Sequence, residues 1–108
     1  MAVKKYKVVW SDFAIQQLDT IFDYYLENAN YKVARKLVRN ILLETEKLIN
    51  NQELGQEEEL LKVRDKKFRY LLYKNYKIIY FDDKLELLIK VYDVFDTRQN
   101  PIKLKRNK

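Results

Sequence analysis

The apolar residues of this chain change period once, and that change decides what it can fold into. From Asp12 to about Asn50 they recur at three- and four-residue spacing; from Arg69 to Phe95 they gather into runs of β-branched and aromatic residues. A helical period does not fit a pleated strand, so helices come first and a sheet follows. Ala14, Leu18, Ile21, Phe22 and Tyr25 mark one face of a helix over about Asp12 to Leu26. Ala34, Leu37, Val38, Ile41 and Leu48 mark a second, ending near Asn50. Ser11 and Asn30 stand where N-caps belong, and Asp12 puts a negative charge at the positive end of the first helix dipole. The link Glu27-Asn28-Ala29-Asn30 is short enough to require an antiparallel helical hairpin.

Strands flank this hairpin. Tyr6 to Trp10 reads as a first strand. Arg69 to Tyr73, Tyr76 to Phe81 and Leu87 to Phe95 follow as a meander, with Lys74-Asn75 and Asp82-Asp83-Lys84 as hairpin loops. The expected fold is therefore α+β, in the order β-α-α-β-β-β, with the hairpin on one face of a mainly antiparallel sheet of about four strands. In the last strand, alternation places Leu85, Leu87, Ile89 and Val91 toward the helices. It places Glu86, Leu88, Lys90, Tyr92 and Val94 on the other side, open to solvent or a partner. Between the halves, Asn51 to Lys67 runs from acidic (Glu53, Glu57, Glu58, Glu59) to basic (Lys62, Arg64, Lys66, Lys67) and reads as an exposed connection.

Composition narrows the chemistry. With 108 residues, 47% of them apolar, the chain has material for one core, so one domain over 1–108 is expected, with a basic, solvated tail over about 102–108. Neither cysteine nor histidine occurs, which excludes disulfides and removes the usual soft metal ligands and the usual proton carrier; no cofactor is expected. No apolar run reaches the length of a membrane span, and MAVKKYKVVW is charged too early for a signal peptide, so a cytoplasmic protein with no membrane partner is expected. The net charge of +6 favours an anionic partner.

The strings that fill this order resemble those of the RelE/ParE superfamily of bacterial type II toxins, also called plasmid stabilisation proteins. The resemblance runs from about Tyr6 to Pro101. It is carried by Ser11-Asp12-Phe13-Ala14 after the first strand, Phe68-Arg69-Tyr70-Leu71, Tyr76-Lys77-Ile78-Ile79-Tyr80, and Val94-Phe95-Asp96-Thr97-Arg98-Gln99-Asn100-Pro101. It implies a growth-inhibiting toxin held by a cognate antitoxin; the mixed sheet face, with Leu88, Lys90, Tyr92 and Val94, is a place for the antitoxin or the target to bind. RelE-like members resemble ribosome-dependent mRNA endoribonucleases, and ParE-like members resemble inhibitors of DNA gyrase.

For a metal-independent nuclease the resemblance offers Arg98 and Arg69 as phosphate clamps and Lys77 as an electrostatic helper. The tyrosine or histidine such nucleases often carry near the C-terminus is missing, since neither type follows Tyr92. Each residue also has an ordinary use: Lys77 on the solvated side of a strand, Arg69 pairing with Asp65 or a helix carboxylate, Arg98 anchoring the C-terminal turn through Asp96 or Asp93. A gyrase inhibitor needs no catalytic set, so the ParE-like reading fits better. A third reading, a non-toxic nucleic-acid-binding module, would use Tyr70, Tyr92, Lys77 and Lys90 on one sheet face.

Overall fold

Ser11 organises the N-terminal half of the molecule. In the computed structural model, which describes residues 5–61 and 66–106, its hydroxyl accepts from the Ala14 N–H at 3.0 Å and caps helix α1 (Asp12–Asn28). The same hydroxyl donates to the Tyr92 carbonyl at 3.2 Å, tying the helix start to the sheet. Asn30 repeats the device for α2 (Tyr31–Glu46), where Oδ1 accepts from the Val33 N–H at 2.9 Å. A 3₁₀ turn, Lys47–Ile49, completes the segment expected as helix.

Among the described residues the sheet has five strands: β1 (Lys7–Trp10), β2 (Gln56–Glu57), β3 (Arg69–Tyr73), β4 (Tyr76–Asp83) and β5 (Leu88–Asp96). Their spatial order is β1-β5-β4-β3-β2. β1 lies parallel to β5 and every other pairing is antiparallel. The strand beyond the expected four is β2, two residues inside the acidic connection that pair with Tyr70 and Arg69. Lys74, at φ 53°, makes the expected two-residue hairpin between β3 and β4. The next turn is displaced: β4 runs through Asp83, so Leu85, at 95% exposure, and Leu87, at φ 55°, belong to the turn and not to the last strand.

One side of the sheet packs on the helices. Ala14, Leu18 and Ile21 of α1 and Leu37 and Ile41 of α2 meet Leu71, Ile78, Tyr80, Ile89, Val91 and Val94. Val94 corrects the expected alternation. Ile79 pairs with Asp93 and Tyr80 with Val91, so Tyr92 is an extra residue, a β-bulge. Beyond it the side chains exchange faces: Val94 turns into the helix-side core at 2% exposure, while Phe95 turns outward.

The outward face is not bare. Leu61, Phe68, Ile79, Phe95 and Leu104 form a second core there, with Tyr70, Phe81 and Tyr92 against it. Leu61 comes from a 3₁₀ turn, Glu59–Leu61, and Leu104 from another, Pro101–Arg106. The segment expected as a solvated tail therefore docks on the sheet, with Leu104 fully buried between exposed Lys103 and Lys105. Lys62, Arg64 and Asp65, named above, lie outside the described residues, as do positions 107–108 of the tail.

Candidate functional site

Arg98 follows β5 and returns to it. Its Nη2 lies 2.7 Å from Asp96 Oδ2 and its Nε 3.0 Å from Oδ1, while its backbone N–H donates to Oδ1 at 2.9 Å. Asn75 Nδ2, in the β3–β4 turn, donates to the same oxygen at 3.1 Å. The Arg98 guanidinium, before any other cause, pulls the Asp96 carboxyl down to about 2, and the carboxylate in turn raises the guanidinium above its usual range. The anchoring use of Arg98 through Asp96 is thus realised. The pair borders a cleft of about 400 Å³ against α1, lined also by Gln17, Thr20, Tyr24 and Tyr76. Burial first, then a hydrogen bond with Tyr25, pushes the Tyr76 phenol above its ordinary range. That phenol stays protonated near neutral pH.

Arg69 sits elsewhere. Its Nη1 donates to the Gly55 carbonyl at 2.9 Å, holding the β2 loop against β3. The same loop is threaded by Tyr80, whose hydroxyl donates to Gln52 O at 2.8 Å and accepts from the Gly55 N–H at 2.9 Å.

Lys77 points to the outward face. Its Nζ lies 2.8 Å from Oε1 of Glu58, a carboxylate only 4% exposed, and 4.3 Å from the centre of the Tyr70 ring. It is neither a freely solvated strand residue nor an open cation. Glu58 is the residue that sequence reasoning missed: one of four glutamates in an acidic stretch, it carried no signal that it alone turns inward.

These three cations do not converge. Arg69 pairs with Tyr80 and Asp96 with Tyr76, four residues apart on β4, or about 13 Å along a strand. Lys77 projects from the opposite face to the Arg98 cleft. No single phosphate reaches all three. On the outward face two aromatic rings are already covered by cations: Lys66 and Lys90 lie over Phe81, and Lys77 lies over Tyr70. Of the residues expected to meet a partner, Leu88, Lys90 and Tyr92 are partly exposed, and Lys90 pairs with Asp83 at 2.9 Å. Val94 is buried on the other side. Tyr92, Lys90, Val9, Trp10 and Phe81 border a largely apolar hollow of about 170 Å³ next to the edge strand β1.

A helical hairpin on a five-stranded mixed sheet, closed by an arginine-anchored C-terminal turn, defines a small α+β protein. A chain of the "Chromosomal ParDE TA system from P. aeruginosa" shares the fold, with a TM-score of 0.67 and 20% identity over 84% of this chain and 95% of that one. Residues 8–101 match the family described as "ParE toxin of type II toxin-antitoxin system, parDE", and the chain belongs to that family. No curated protein matches it in sequence. Among the described residues no helix is long and apolar enough to cross a membrane.

Proposed function

We propose that the chain acts in the cytoplasm as the toxin of a type II pair, arresting bacterial growth by binding DNA gyrase while a cognate antitoxin restrains it. Membership of the ParE toxin family supports the toxin role. The choice of target is carried by one observation: Arg69, Lys77 and Arg98 are dispersed, and each is engaged by a partner within the fold. Phosphodiester cleavage needs charge stabilisation focused where charge develops, and focus is what this arrangement lacks. Binding to a protein target makes no such demand.

The antitoxin is assigned to the hollow at Tyr92 and Lys90 and to the neighbouring face of Leu88. An extended segment laid beside edge strand β1 would gain main-chain hydrogen bonds there and seat an apolar side chain in the hollow. Expression of the chain without its partner should stop bacterial growth, and co-expression of the reading frame beside it should restore growth. Normal growth with abundant folded protein would count against the toxin role.

A further inference from the structure

Helix α2 carries its charges against its own dipole. Lys32 stands in the first turn, where the helix end is already positive, Arg35, Lys36 and Arg39 follow along the next turns, and Glu44 and Glu46 occupy the C-terminal turn. No acidic residue stands in the first turn and no basic residue in the last. The four cations fall at spacings of three and four, so they share one side of the helix and repel one another. All four are exposed. Among the described residues none of their side chains takes part in an ion pair, a hydrogen bond or a contact with a ring. The neighbouring helix α1 brings exposed Asp19, Asp23 and Glu27 to the same layer, yet none pairs with the stripe. A fold that selected only for stability would not keep this pattern.

We propose that this side of α2 binds the phosphate backbone of duplex DNA. Within the stripe itself, from Lys32 to Arg39, the exposed surface is charge apart from Val33, off to one side, with no amide to read a base edge; exposed Tyr31 and Leu43 flank it at its two ends. An acidic protein partner would draw its affinity from buried apolar anchors, whereas charge alone is the sequence-independent recognition that a phosphate backbone provides. Lys32 and Arg39 are seven positions apart, about 10 Å along the helix, which matches about three successive phosphates of one strand. The proposal does not rest on the gyrase reading, and either can fail alone.

The test is binding of the full-length chain to a short labelled DNA duplex, followed by fluorescence anisotropy across a salt series. Three neutralised phosphates give a slope of log affinity against log salt of about −2.7. The triple variant R35Q/K36Q/R39Q should flatten that slope and weaken binding at low salt by about tenfold or more. Its melting temperature should hold or rise, because the removed charges repel one another and Lys32 on one exposed side of the helix. The control K5Q/K67Q/K105Q loses the same three charges elsewhere and should bind nearly as well as the wild type. Equal weakening by both triples, no salt-dependent binding by the wild type, or tighter binding of a polyglutamate peptide than of the duplex would each overturn the proposal.

Discussion

Arg98 and Asp96 form a two-point contact, Nη2 to Oδ2 at 2.7 Å and Nε to Oδ1 at 3.0 Å, that folds the chain back on itself directly after β5. The contact holds Asp96 near 2, below the ordinary carboxylate value. A carboxylate depressed in the folded state adds stability that is fully present above its unfolded value, near 4, and is lost as pH falls through about 2. Asp96→Asn should therefore melt below the wild type at pH 7, and the gap should close between about pH 4 and pH 2. Thermal melts across that range check it; a gap unchanged by acid would mean that the contact contributes nothing through charge.

Gly55 is required for space, not for a special backbone angle. A Cβ there would lie 2.7 Å from the Tyr70 carbonyl oxygen and 2.7 Å from the Tyr80 hydroxyl, and the first of these is backbone. Gly55→Ala should push the loop away and break its hydrogen bonds to Tyr80. Tyr80→Phe tests the same joint without a clash: the buried Gly55 N–H loses its acceptor, which costs about 1–3 kcal/mol. Calorimetry should show melting lowered by about 4 °C or more for Tyr80→Phe, with Gly55→Ala at least as low.

Lys77 neutralises a carboxylate that cannot return to water without moving the 58–61 segment. Lys77→Met leaves Glu58 buried and unpaired, a change that costs about 3 kcal/mol. The double variant Glu58→Leu with Lys77→Met should recover most of that loss, as removing both partners of a buried pair often does. Denaturant titration of the two single variants and the double gives the coupling; independent, additive effects would show that the pair is incidental.

Much of this architecture is written locally in the chain. Ser11 and Asn30 are followed by helical apolar spacing, and a side chain two or three residues from the amides it caps needs no distant partner. The α+β class and the β3–β4 turn follow from equally local signals. What could not be read is non-local. The bulge at Tyr92 leaves Val91-Tyr92-Asp93-Val94 looking like plain alternation, and only pairing with Ile79 and Tyr80 shows the extra residue that turns Val94 inward. The parallel pairing of β1 with β5, β2 as a strand and the burial of Leu104 likewise depend on contacts made far along the chain. For the site, Asp96 as the anchor of Arg98 lay within two residues and was foreseen among alternatives. Glu58 as the partner of Lys77, nineteen positions away, was not.

Arg69, Lys77 and Arg98 stand apart in the fold, and the proposed action on gyrase rests on that separation. The most direct measurement places the purified chain in two reactions: supercoiling of relaxed plasmid by DNA gyrase, and ribosomes carrying mRNA. Supercoiling is expected to fall as the chain is added, and the mRNA to stay whole. Cleaved mRNA with supercoiling untouched would contradict the gyrase reading, and a loss of that cleavage of about 100- to 1,000-fold in Arg98→Ala would then mark Arg98 as a transition-state clamp.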